Sequence, residues 1–263
     1  MSDPLFGANA KLGRAKQHVD IYERDLLAFF KSYSEAKMIH IDFEAPWYAV
    51  WSEPFPKPPV GVVLSAGDAI NCLRSALDYL VCELVLKSGG EVTQYTQFPI
   101  YRAPGKFVEA VSLKNRRNPL AGLDRKGNAW ALVERSQPYR SPNPISHPLH
   151  VIHALSNTDK HRLLLGQLSF PRFDRIDWLA WNPDAVLLEK KIPALQPVSH
   201  ENRTDICSLR FDPSGPDPQV RMNGKVPLSP TIGNGDWQFA FTAIGNAHEY
   251  VSGILRSAAV LFL

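Results

Sequence analysis

The sequence is poor in the features that most readily assign a function. It has three cysteines in 263 residues, Cys72, Cys82 and Cys207, an odd number that excludes a framework of paired disulfides. Cys72 and Cys82 fall in one stretch of helical periodicity, too far apart along it to bridge. Reduced thiols fit a cytosol, and the chain is read as cytoplasmic. No apolar run approaches the roughly 18 to 20 residues of a membrane span, and the stretch MSDPLFGANAKLGRAKQ has no apolar core of the length a signal peptide needs, so no membrane association is expected. Charge of one sign is also missing: 29 Lys and Arg against 26 Asp and Glu leave a net +3, and any electrostatic argument must be local. Glycine-rich phosphate loops, the nucleophile-elbow pattern, the zincin His-Glu motif and paired catalytic carboxylates are absent, and no cofactor is implied.

The chain does have enough apolar material for a sizeable core, 44% hydrophobic with 10% aromatic and 21% charged residues, which excludes disorder over its whole length. From Ala8 to about Lys37 apolar residues recur at helical spacing (Leu12, Val19, Leu26, Phe30) without proline, predicting a long first helix. Ile39, Ile41 and Phe43 alternate, Glu44 to Pro46 turn, and Tyr48 and Val50 alternate again, the pattern of a β-hairpin. Pro54 to Pro59 stiffen an extended connector. Val60 to Lys87 is a second long helix, with Ile70, Leu73, Leu77, Leu80, Val81 and Leu84 on one face and Gly89 and Gly90 as its stop. Residues 91–147 are broken by prolines, with short helices near 106–111 and 128–136, and Pro148 opens another helix to Leu155. Beyond Arg162, short β runs are expected at 163–170, 175–181, 185–190, 205–211 and 219–222, with Asn223 and Gly224 as a hairpin turn. Residues 238–261 read as a final helix.

This order predicts an α+β fold: a bundle of long helices (N-terminal, central, C-terminal) packed with a small antiparallel β section and an N-terminal β-hairpin. It is expected to form a single interleaved domain over 1–263, mainly helical over 8–160 with the hairpin at 38–51, β over 161–236, and a helix over 237–263 returning to the helical part. The first and last helices are candidate surfaces for a homodimer.

The most site-like run is Asn157, Thr158, Asp159, Lys160, His161, Arg162, which puts an amide, a carboxylate, an amine, an imidazole and a guanidinium in six residues. On the second long helix Asn71, Arg74, Asp78 and Cys82 fall within about 80° of one another, nearly opposite the apolar arc. Two readings compete. The stripe is a solvent face carrying an ordinary Arg74–Asp78 pair, or the 157–162 run covers it. In the second case Arg74 pairs with Asp159, and Asp78 with Arg162 or His161, because a buried charge must have a partner. The small residues Ala66, Gly67, Ala69, Ser75 and Ala76 permit such an approach.

His161 is the residue of that run able to exchange protons near neutral pH, oriented by Asp159 or Asp78. Arg162 and Arg74 would stabilise phosphate charge, and Asn71, Asn157 and Lys160 would bind substrate. Against this, Asn157 and Asp159 are common turn and cap residues, and Lys160 is more often solvated. The alternative to chemistry is a buried structural network in a non-enzymatic binding or assembly module. No metal site is expected: His147, His150 and His153 diverge around a helix and read as capping, surface and core residues respectively. Residues 101–140 hold nine Lys and Arg against three Asp and Glu. With Tyr101, Phe107, Trp130 and Tyr139 interleaved, this basic 102–140 segment is a candidate surface for RNA or another phosphate-bearing ligand, or a solvated loop-rich face.

The blocks Asn71-Cys72-Leu73-Arg74-Ser75-Ala76-Leu77-Asp78 and Asn157-Thr158-Asp159-Lys160-His161-Arg162, with Phe98-Pro99-Ile100 and Gln137-Pro138-Tyr139 between them, resemble a family of uncharacterised bacterial and phage proteins. That resemblance spans about two thirds of the chain and brings no established activity. More loosely, a helix with an Asn, Arg, Asp stripe beside an Arg/His cluster is similar to the HEPN (higher eukaryotes and prokaryotes nucleotide-binding) proteins, many of which are metal-independent ribonucleases. Their Arg, four to six residues, His signature on a helix is matched in spacing by Arg140 and His147 alone, with Pro142 and Pro144 between. The resemblance implies a metal-independent nuclease or RNA-binding role for His161, Arg162, Arg74, Asp78 and Asp159.

Overall fold

A computed structural model of the chain describes residues 3–31, 39–112, 114–159, 165–169, 176–193, 199–223, 229–233 and 238–263. The expected α+β class is observed, with two compact units, each assembled from separated stretches of chain: residues 1–25, 60–165 and 233–263 in one, 26–59 and 166–232 in the other.

The first unit is helical. Helix α1 (Phe6–Lys31) begins in it, with Leu5, Ala8, Ala15, Val19 and Tyr22 buried; with half-buried Leu12 these recur at alternating steps of three and four residues, one stripe of a helix. Helix α2 (Val60–Lys87) starts directly after the proline connector and stops at Gly89, whose φ of 74° suits glycine in a helix cap. Gly90 and Gly122 then pass so closely that a Cβ on Gly90 would stand 2.9 Å from the Gly122 Cα, which holds the end of α2 against the 118–123 loop. Short helices α3 (Pro104–Ala110) and α4 (Asn128–Arg135) follow, then α5 (Pro148–Asp159) and α6 (Ala243–Ala259). Helices α2, α5 and α6 pack on one another, and α6 buries Ile244, Ala247, Val251, Ile254, Leu255 and Ala258. No helix of the described residues is long and apolar enough to cross a membrane.

The second unit contains a four-stranded antiparallel sheet in the order β1 (Ile39–Glu44), β2 (Trp47–Ser52), β6 (Thr204–Phe211), β5 (Leu187–Lys191). The hairpin register pairs Phe43 with Tyr48 and Ile41 with Val50. Val50, Leu209, Phe211, Ile206 and Cys207 form its buried core with Phe55 and with Trp178 and Leu179 at the two-stranded ribbon of β4 (Leu179–Ala180) and β7 (Arg221–Met222). Strands β3 (Leu165–Ser169), β8 (Ser229–Gly233) and β9 (Gln238–Ala240) complete the described elements.

Three details differ from the sequence expectation. Helix α5 runs on to Asp159 instead of ending at Leu155, so Asn157 stands within its last turn and not in a turn or cap. Residues 238–240 are a strand, and the last helix starts at Ala243: Phe239 and Phe241 stand at the two-residue spacing of a strand, and Phe239 is buried with its ring against His150. Strand β8 has no alternating apolar signal and was not anticipated. The Asn223–Gly224 turn lies partly outside the described residues.

Candidate functional site

Helix α5 places the site. It is buried from Leu149 to Ser156 on all sides except His153, and Asn157, one turn on, is exposed with it. These two residues form one stripe, linked by a hydrogen bond from Asn157 Nδ2 to His153 Nε2 of 3.2 Å. His147 caps the helix: its Nδ1 accepts the Leu149 amide at 3.2 Å, so its proton sits on Nε2, facing the Tyr250 hydroxyl at 3.2 Å, which donates to the Ser136 carbonyl. His150 and His153 exchange the positions expected for them. His150 is 3% exposed, and burial, aided by Arg102, His153 and His147, pushes its imidazole down to about 4. Among the described residues no His, Cys, Asp and Glu side chains group as metal ligands.

The α2 stripe is partly covered, and the cover is the extended segment 97–101. Asp78 Oδ1 accepts the Phe98 amide at 2.8 Å, and Arg74 reaches the same carboxylate through Nε at 3.2 Å and Nη2 at 3.1 Å. Arg74 Nη2 also donates to Gln97 Oε1 at 3.2 Å. The Arg74 and Asp78 side chains are 18% and 29% exposed, between the surface pair and the sealed pair that the sequence allowed. The segment is fixed from behind by Gln137, fully buried: its Nε2 donates to the Pro99 carbonyl at 2.8 Å and the Val133 carbonyl at 3.0 Å, and its Oε1 accepts the Tyr101 amide at 3.0 Å. Side chains thus satisfy backbone groups that no helix or strand ladder takes.

Between this segment, α2 and the end of α5 lies a cleft of about 230 Å³, lined by Arg74, Gln97, Tyr101, His153, Ser156 and Asn157 over an apolar floor of Pro99, Ile100 and Pro119. Two of the residues picked from the sequence, Arg74 and Asn157, meet there. Asp78 stands behind Arg74 and orients it, while Asn71 is exposed on α2. Lys160, His161 and Arg162 lie outside the described residues, as does the side chain of Asp159. Gln97, Gln137 and His153 were missed; membership of Phe98-Pro99-Ile100 and Gln137-Pro138-Tyr139 in the resemblance was the one available signal.

The cleft is rich in donors. Arg74 is held as a fork, and among the described residues its Nη1 has no hydrogen-bond partner; nor does Gln97 Nε2, since the amide oxygen is taken by Arg74. The basic 102–140 segment behaves differently from the expectation of stacked bases. Phe107 and Trp130 are 2% and 8% exposed, so these two rings are core, and they form an aromatic cluster with the half-buried Tyr101 and Tyr139. The nine basic side chains are all exposed, with Lys106 paired to Glu109 and Arg140 to Glu134.

No protein-family model, curated protein or solved structure matches the chain.

Proposed function

We propose that the protein binds RNA through a phosphate held in the α2–α5 cleft and acts on it without a metal. The observation that carries this reading is the convergence of the Arg74 guanidinium with the Gln97 and Asn157 amides on one cleft. A guanidinium whose Nε edge is fixed by a carboxylate keeps an amino group for an anionic oxygen at little entropic cost, and such charge-assisted bonds are the strong ones. Exposed Lys114, Arg116 and Arg117 supply sequence-independent attraction for the rest of a phosphate backbone. In this reading His161, four residues after Asn157, exchanges a proton with the ribose hydroxyl or leaving oxygen, Lys160 and Arg162 stabilise charge, and Asp159 orients them. The test is incubation of single-stranded RNA with the protein in excess chelator. Cleavage that is lost in His161→Ala with an unchanged melting temperature supports the reading, and intact RNA at every protein concentration opposes catalysis.

A second reading, a non-enzymatic binding or assembly module, is favoured by the Asp78 carboxylate accepting the Phe98 amide, a bond that serves folding. There the stripe is a structural tie between α2 and segment 97–101, and variants at Arg74 change stability without changing any affinity for RNA.

A further inference from the structure

The second unit carries a cleft of its own, about 360 Å³, at the end of the four-stranded sheet beside the loop 212–218. One wall is aromatic. Phe43 and Tyr48 are cross-strand partners with centroids 5.0 Å apart and planes at 52°, and Phe211 meets Tyr48 edge-on at 5.7 Å. Phe43 is 62% exposed, an unusual exposure for a large ring placed at the mouth of a cleft.

The facing loop, Asp-Pro-Ser-Gly-Pro-Asp-Pro, brings two carboxylates. Asp212 accepts the Ser214 amide at 2.9 Å and its hydroxyl at 2.7 Å, and these bonds hold its carboxyl below the usual carboxylate range. Asp217 accepts the Gln219 amide at 3.1 Å and the Tyr48 hydroxyl at 3.4 Å. Arg210 also lines the cleft, but its guanidinium is engaged by Glu189 at 2.9 Å and lies over the Trp47 ring, so its charge is matched and the two aspartates leave the lining net negative.

An aromatic wall opposite fixed negative charge attracts a cation, because the face of each ring is the negative end of its quadrupole. The type of cation follows from the lining. Pro46, Pro213, Pro216 and Pro218 have no N–H groups to offer an anion and, with Phe43, Tyr48 and Phe211, line the cleft largely with carbon. A primary ammonium or guanidinium could bond the carboxylates but would give up its water along the carbon-lined remainder of the wall. A quaternary ammonium has no N–H to lose and presents methyl groups to the rings. We infer that this cleft is a binding site for a small quaternary ammonium compound of the choline type, held between the Phe43–Tyr48–Phe211 wall and the Asp212 and Asp217 carboxylates.

Calorimetric titration of the full chain with choline chloride, with tetramethylammonium chloride and with the neutral isostere 3,3-dimethylbutan-1-ol tests this. Both cations should bind with millimolar or better affinity and the isostere at least about tenfold more weakly. Phe43→Ala, at an exposed position, and Asp217→Asn should each weaken choline by about fivefold or more with the melting temperature held. No binding of either cation up to about 50 mM, equal binding of the neutral isostere, or wild-type affinity in Phe43→Ala would each overturn the assignment.

Discussion

Replacing Gln137 by methionine keeps most of the side chain's volume and removes every hydrogen bond it makes. Three are lost: to the carbonyls of Pro99 and Val133, and from the Tyr101 amide. At about 1 kcal/mol net each, the loss is about 3 kcal/mol. For a chain of this size that lowers the melting temperature by roughly 6 to 10 °C. Gln137→Glu should cost more, since a carboxylate cannot donate to either carbonyl and places a charge at a fully buried position. Because the chain has two compact units, the assay should report locally. Hydrogen exchange should show the Tyr101 amide losing at least about tenfold in protection, while the amides of the β1–β2–β6–β5 sheet keep theirs. If Gln137→Met melts within about 1 °C of the parent and Tyr101 stays protected, the claim that this amide fixes the cleft wall is wrong.

Three further outcomes follow from the same structure. Asp78→Ala should lower stability by about 3 kcal/mol, because it strands both the Arg74 charge and the Phe98 amide, whereas Asp78→Asn, which keeps an acceptor for that amide, should lose about half as much in urea denaturation. Acidification should destabilise the fold between pH 6.5 and 4: His150, depressed from 6.5 to about 4 by burial, takes up its proton more readily when unfolded, so its contribution is complete above 6.5 and falls as pH drops. The loss is on the order of 3 kcal/mol, and His150→Leu should flatten that part of a melting-temperature profile. Trp130→Ala should cost about 3 kcal/mol and leave RNA affinity unchanged, whereas combined replacement of Lys114, Arg116 and Arg117 by alanine should weaken RNA binding and flatten its salt dependence without shifting the melt.

Much of the fold is written in patterns that local physics reads directly. Helix α2 has the expected limits because prolines end just before Val60 and glycines begin just after Ser88. The hairpin shows in the alternation of Ile39, Ile41 and Phe43. Where tertiary pairing decides, the pattern is silent or misleading. Phe239 and Phe241 were absorbed into the following helix although their spacing is that of a strand, and β8, Ser-Pro-Thr-Ile-Gly, has too little alternation to stand out.

The candidate site divides in the same way. The crowding of ionisable types drew attention to Arg74 and Asn157, which share a cleft. The element that covers the stripe went unnoticed, since segment 97–101 is an extended piece held by side-chain bonds to its backbone, and such bonds leave no periodicity. Gln137, a polar residue buried completely, runs against the ordinary burial preference, and His150 and His153 exchange their expected places because α5 is surrounded by other chain on all but one stripe, which spacing alone does not show.

The most direct test of the cleft as an RNA phosphate site is a fluorescence-anisotropy titration of single-stranded RNA at low salt, comparing the parent with Arg74→Gln. That substitution leaves an NH₂ group to donate to Asp78 and removes the charge offered to the ligand. The account predicts at least about a tenfold loss of affinity in a protein that still folds. Equal affinity in the two proteins, or no binding by the parent, would contradict it.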